Sequence, residues 1–212
     1  MLLFDMDGTL IDSNGIWKDV DTEFLARRGL PYTQAYYEGV AHTIFPLAAK
    51  FTKEFCHLPE SEEEIMAEWM ELAGDLYAGS VPEKPGVRAF LERMRARGER
   101  MAVVTSAVPV HCRSALTHPG LLPYFERIFF AQELGMEKKT PELWKKVAAE
   151  LNAATEACTL FDDSVEAIRG AKAAGMHTVG VADPYFASCA GEMAQTCEKF
   201  VSGFDAPEMA AF

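Results

Sequence analysis

The chain has no apolar run near the ~18 residues that a membrane-spanning helix needs. Its opening, Met-Leu-Leu-Phe-Asp, carries neither the basic segment nor the small-residue cleavage site of a secretory signal, so the cytoplasm is the expected compartment. The five cysteines, Cys56, Cys112, Cys158, Cys189 and Cys197, are odd in number, widely spaced and without a C-x-x-C pair. That pattern argues against a disulfide framework and a zinc knuckle, and for reduced thiols. Positive charge is scarce: 20 Lys and Arg stand against 32 Asp and Glu, a net charge of −12. Nucleic acid and anionic lipid are repelled by such a surface, so neither is an expected partner, and an anionic substrate must meet a local cationic pocket. No internal repeat and no low-complexity segment is present.

What is there is a globular composition, 49% hydrophobic and 25% charged over 212 residues, enough for one sizeable domain or one domain carrying a smaller insert. Short apolar runs bounded by turn signals recur at Leu2 to Phe4, Met101 to Val104, Ile128 to Ala131, Thr159 to Phe161 and Thr178 to Val181. Buried parallel strands read this way. Helical spacing fills the gaps: Val87, Phe90, Leu91 and Met94 within 85–97, then Leu143, Trp144, Val147 and Leu151 after Thr140-Pro141, then Ile168 and Ala171 behind a Ser164 cap. Strand, helix, strand units predict an α/β, Rossmann-like parallel sheet.

One gap is too long. Strand one ends near Asp5 and strand two near Thr105, whereas a single βαβ unit needs only ~30 residues. The stretch between is helical by pattern, with Trp17, Val20, Phe24 and Leu25, then Ile44, Leu47, Ala48 and Phe51, then a helix behind the capping box Ser61-Glu62-Glu63-Glu64. The expectation is a catalytic core of 1–13 and 81–212 with an inserted α-helical cap of 14–80.

Chemistry gathers where parallel strands end at their carboxyl edge. Asp5 and Asp7 follow strand one and, in a turning segment, can face one point; taken alone, Asp7-Gly8 equally suits an Asx-turn. Asp162 and Asp163 follow the strand Thr159 to Phe161 in the same way. If those strands lie side by side, Asp5, Asp7 and Asp163 converge on a hard-oxygen site without His or Cys, which suits Mg²⁺ better than zinc. Thr105 and Ser106 close another strand and offer hydroxyls and backbone N–H groups to a phosphate at the start of the next helix, or simply cap that helix. Lys138, with its neighbour Lys139, follows a fourth strand and can neutralise phosphoryl oxygens as a point charge.

Together these segments resemble the haloacid dehalogenase superfamily over nearly the whole chain, in the subgroup with an α-helical cap that includes phosphoglycolate phosphatases and β-phosphoglucomutases. Residues 5–13 look like its first motif, Val103-Val104-Thr105-Ser106 like the second, and residues 138–144 like the third, usually Lys-Pro-x-Pro-Asp-x-Phe. Here Lys139 replaces the proline and Glu142 the aspartate. Residues 161–176 look like the fourth. The resemblance implies a nucleophile at Asp5, an acid/base at Asp7, phosphate binding by Thr105, Ser106 and Lys138, and magnesium held by Asp5, Asp7, Asp163 and Asp162, the Asp7 contribution coming through its backbone carbonyl.

The implied activity is a magnesium-dependent phosphomonoester hydrolase acting on a small phosphorylated metabolite through an aspartyl phosphate. Two further readings are a sugar phosphomutase and a non-catalytic binding protein on the same fold. In the cap, His42 stands where relatives acting on sugar bisphosphates carry Arg, and Trp17 stands where the phosphomutases carry His. Both are candidate specificity residues, with local packing as the plain alternative.

Overall fold

The computed structural model describes residues 1–40, 45–79, 81–210 and 212. Six strands among the described residues carry the fold: β1 (Leu2–Phe4), β2 (Met101–Thr105), β3 (Arg127–Phe130), β4 (Thr159–Asp162), β5 (His177–Val181) and β6 (Lys199–Val201). Among the described residues they form one parallel sheet in the order β3-β2-β1-β4-β5-β6. The apolar runs of the sequence are β1 to β5, shifted by no more than a residue at either end. β6 lies at the edge, and its three residues were too few to read as a strand.

β1 sits between β2 and β4, with Phe4 registered on Val103 and on Phe161. The direction in which strands are added reverses there, and such a reversal opens a crevice at the carboxyl edge. Asp5 leaves the sheet at that point, its N–H bonded to the Phe161 carbonyl at 2.9 Å. All three β1 residues are buried because both faces are covered. Leu3 joins Leu143, Trp144, Val147, Leu160 and Ile168 on one face; Phe4 stacks on Phe161 at 4.8 Å and meets Phe90 at 6.2 Å on the other.

The chain divides into two compact units, Met1–Asn14 with Ser80–Phe212, and Gly15–Gly79. Within the second lie α1 (Ile16–Ala26), α2 (Gln34–Val40), α3 (Phe45–Cys56) and α4 (Glu62–Gly79). Aromatic edges hold them: Phe24 meets Trp69 at 5.6 Å, and Phe45 meets Trp69 and Trp17 at 5.5 Å each. The capping box of α4 closes reciprocally, Glu64 N–H to Ser61 Oγ at 3.1 Å and Ser61 N–H to Glu64 Oε2 at 2.7 Å. α2 was not foreseen, since Tyr36 is its one buried residue and no apolar stripe marks it.

Tyr36 carries the second unit's polar centre: its hydroxyl lies 3.1 Å from Asp21 Oδ1 and 3.0 Å from Thr52 Oγ1. Burial pushes the Asp21 carboxyl up to about 7, against the pull of the Tyr36 hydroxyl. A carboxyl with a raised folded-state pKa keeps its proton better folded than unfolded, so stability falls as pH rises from about 4 to about 7. Asp21→Asn keeps the acceptor for Tyr36 and removes the charge. It is expected to stabilise the chain by about 2–4 kcal/mol at pH 8 and by nearly nothing at pH 4. Urea unfolding at the two pH values checks this, and an equal effect at both would contradict it.

The first unit's helices are α5 (Val87–Ala96), α6 (Pro109–Thr117), α7 (Ala131–Leu134), α8 (Pro141–Glu150), α9 (Val165–Ala173) and α10 (Ala190–Thr196). α5 starts two residues after Pro85, because Gly86 takes φ +80° ahead of it. Where the chain leaves and re-enters this unit, two segments run side by side: Asp12 N–H bonds Pro82 O and Lys84 N–H bonds Leu10 O, each at 2.9 Å.

Candidate active site

Adjacent strand ends bring the acidic pairs together. Because β1 and β4 are paired, Asp5 emerges beside Asp162 and Asp163. The three are buried, and their ligand oxygens lie within 4.8 Å of one another. Lys138, from the loop between α7 and α8, reaches in with Nζ 2.7 Å from Asp5 Oδ1 and 2.6 Å from Asp162 Oδ2. Lys139 is exposed and pairs with Glu137 at 2.5 Å.

Burial works against charge on Lys138, but Asp162 and then Asp5 outweigh it and raise its pKa, so the ammonium stays charged. Burial, followed by Asp5 and Asp162, raises Asp163 well above the ordinary carboxylate range, with the Asn14 amide pulling the other way. With all groups ionised, three negative charges face one positive charge in a small volume. A divalent cation would satisfy that excess, and the donor set, carboxylate oxygens without His or Cys, is chemically suited to a hard ion.

Asp163 is held by two neighbours on the first loop, Asn14 Nδ2 to Oδ2 at 2.6 Å and Thr9 Oγ1 to Oδ1 at 3.4 Å. The loop turns at Gly8, whose φ of +74° is one that L side chains rarely adopt. A Cβ there would land inside van der Waals contact of Asn14 Nδ2 and Asp163 Oδ2. Gly8→Ala is expected to cost roughly 2–4 kcal/mol through backbone strain and displacement of both partners. A urea midpoint equal to that of the unsubstituted chain would show that the loop has another way to turn.

Asp7 stands apart from the carboxylate group. Its Oδ1 accepts the Ser13 hydroxyl at 2.6 Å, and it lines a cavity of about 230 Å³ together with Asp5, Ser106, Lys138 and Asp163. Asp162 does not line that cavity; its oxygens are taken by Lys138 and, at 2.9 Å, by the Ser164 N–H. Thr105 is fully buried, and its Oγ1 accepts the Ala107 N–H at 3.0 Å. An oxygen that accepts there keeps its own proton for donation. The expectation that a helix begins at Ser106 is corrected: Pro109 opens α6, with Val108 ahead of it, because Pro suits a first helical position and residues 106–108 are spent on the turn.

Trp17 belongs to the second unit, 37% exposed with its ring edge on Phe45. His42 lies outside the described residues. Asn14, Ser13 and Phe186, which also lines the cavity, were not foreseen. Ser13 falls inside the first motif and could have been flagged; Asn14 and Phe186 carry no sequence signal, since their roles come from distant partners.

The family model of haloacid dehalogenase-like hydrolases matches residues 2–181. The chain belongs to this family. Among curated haloacid dehalogenase relatives, the phosphorylated carbohydrates phosphatase of Thermotoga maritima is 25% identical over 178 residues, covering 84% of this chain and 82% of the relative. Hexitol phosphatase B of Escherichia coli K12 is 27% identical over 191 residues, covering 86% and 83%. Of solved structures with this fold, CbbY from Rhodobacter sphaeroides in complex with phosphate superposes with a TM-score of 0.75 at 20% identity, over 96% of this chain and 93% of that one.

Proposed function

We propose that the chain is a magnesium-dependent phosphatase that hydrolyses small phosphorylated metabolites, phosphorylated sugars or polyols first among them. One observation carries this reading: a buried carboxylate, Asp5, paired with a buried ammonium, Lys138, at the wall of a cavity that also presents Asp7, Asp163 and Ser106. The names of the relatives supply the substrate class.

A dianionic phosphate meets an anionic nucleophile here, so charge repulsion is the first barrier. Asp5 and Asp163, with the Asp7 backbone carbonyl, are the groups to hold Mg²⁺, which when bound supplies Lewis-acid neutralisation of a phosphoryl oxygen. Lys138 contacts Asp5 Oδ1 at 2.7 Å; one carboxylate oxygen of Asp5 would face the metal and the other would bond to phosphorus. As that O–P bond forms, the ester O–P bond breaks, and Asp7 gives its proton to the departing alcohol. Asp7 then takes a proton from the water that attacks the aspartyl phosphate and releases inorganic phosphate, restoring Asp5. Thr105, Ser106 and Lys138 hydrogen-bond the equatorial oxygens, where charge spreads in the transition state.

The test is release of inorganic phosphate across a panel of sugar and polyol phosphates. Turnover is expected with Mg²⁺, lost in EDTA and recovered on adding excess Mg²⁺. Absence of turnover throughout the panel, or turnover indifferent to EDTA, rejects the reading.

A further inference from the structure

Lysine is a flexible anchor for a phosphate: four rotatable carbons separate its charge from the backbone, so where the ammonium sits depends on what fixes its main chain. In this chain the main chain of Lys138 is gripped from two sides. Trp144, fully buried on the first turn of α8, donates its indole Nε1–H to the Lys138 carbonyl at 2.7 Å. Against the same peptide lies Gly170 of α9, where a Cβ would stand 2.8 Å from the Lys139 carbonyl carbon and closer still to the Lys138 oxygen. The loop therefore seats on bare backbone, with its carbonyl received by a ring N–H.

Residue 139 contributes no such restraint. It is an exposed lysine without a ring to set φ, and its side chain turns outward to Glu137.

We propose that Trp144 is a positioning residue for Lys138, acting through its indole N–H and not through the bulk of its ring, with Gly170 providing the seat. This rests on the phosphatase reading of the site. Holding the carbonyl sets the plane of the Lys138–Lys139 peptide and so the direction in which the side chain leaves. The ammonium then falls between Asp5 and Asp162, each within hydrogen-bonding reach. A misplacement of about 1 Å at such a group costs on the order of 10²-fold in rate; partial loosening is expected to cost less.

The decisive replacement puts β-(3-benzothienyl)alanine at position 144, which keeps the bicyclic ring but has sulfur where the indole has N–H. Trp144→Phe serves as a second variant. With Mg²⁺ present, kcat on the best substrate of the panel is expected to fall about 10-fold in the isostere, and the inhibition constant of inorganic phosphate to rise by a similar factor. Its thermal midpoint is expected to fall by only a few degrees, the effect of one lost hydrogen bond, with the chain still folded. Independently of turnover, the ¹H–¹⁵N signal of the Lys138 ammonium, identified by its loss in Lys138→Met, is expected to shift or broaden in the metal-free isostere.

An isostere with unchanged kcat, phosphate inhibition and ammonium signal overturns the proposal and leaves the phosphatase reading standing. If the unsubstituted chain hydrolyses nothing, the phosphatase reading falls. The ammonium signal then decides the positioning role alone: a change supports it, and an unchanged signal overturns it.

Discussion

Asp5→Asn is expected to reduce phosphate release by at least about 10³-fold while leaving the chain folded. The amide keeps the shape of the side chain and an oxygen for Lys138, but it lacks the anionic oxygen that the proposed mechanism bonds to phosphorus. Stability should move in the opposite direction to activity. Asp5 lies against Asp162 and Asp163, and its charge helps to raise the pKa of both, behind burial in each case.

Burial pushes Asp162 up from 3.8 to about 7 against the pull of Lys138. Folded chains therefore bind more protons than unfolded ones between about pH 4 and about pH 7, and stability falls as pH rises across that window. Removing the Asp5 charge weakens the repulsion behind this slope. The metal-free Asn variant should be at least as stable as the unsubstituted chain at pH 8 and less sensitive to pH. Steady-state phosphate release and thermal midpoints at pH 5 and pH 8 measure both halves. Residual activity within 10-fold would remove Asp5 from the nucleophile's role.

Lys138→Met should be the more damaging change to the fold. Methionine fills much of the stem's volume but leaves Asp5 and Asp162 without their shared cation. Breaking a buried ion pair by deleting one partner costs about 3–5 kcal/mol, because the remaining charge is stranded out of water. Here Asp162, whose carboxyl burial already pushes up to about 7, can relieve the cost by taking up a proton, so the loss should be largest at pH 8 and smaller at pH 5. Mg²⁺ should restore part of it by supplying the missing positive charge. Activity is expected to fall by about 10²–10³-fold, since the proposed mechanism loses its preorganised cation for the phosphoryl oxygens. Urea midpoints with and without Mg²⁺ at the two pH values, together with kcat, test this. A variant as stable as the original at pH 8 would mean that the acidic group is not ionised as its geometry implies.

How far the sequence reached can be followed through individual residues. β1 to β5 were legible because parallel strands buried on both faces must be apolar runs, and Leu2 to Phe4 or Met101 to Val104 can be little else. β6 was not, because an edge strand of three residues beginning with Lys199 has no such constraint. The α4 capping box was legible because its chemistry is confined to four consecutive residues. Thr105 and Ser106 resemble cap residues and so suggest a helix start too early in the chain, whereas the structure spends Thr105 Oγ1 on the Ala107 N–H.

By itself the sequence determined the α/β class, the unusual length of chain between β1 and β2, and the residue types at each strand end, because burial and turn chemistry act over a few neighbours. Only the tertiary structure decided that Asp162 turns to Lys138 while Asp163 lines the cavity, that Asp7 leans on Ser13, and that Trp144 holds the Lys138 carbonyl. Those choices are set by which strands pair and which helix seats against which loop. Asp5 and Lys138 stand 133 residues apart in the chain, and Asn14 and Asp163 149, so the sheet brings them together; Trp144 is only six residues from Lys138, yet nothing in the local sequence records that its indole will face that carbonyl.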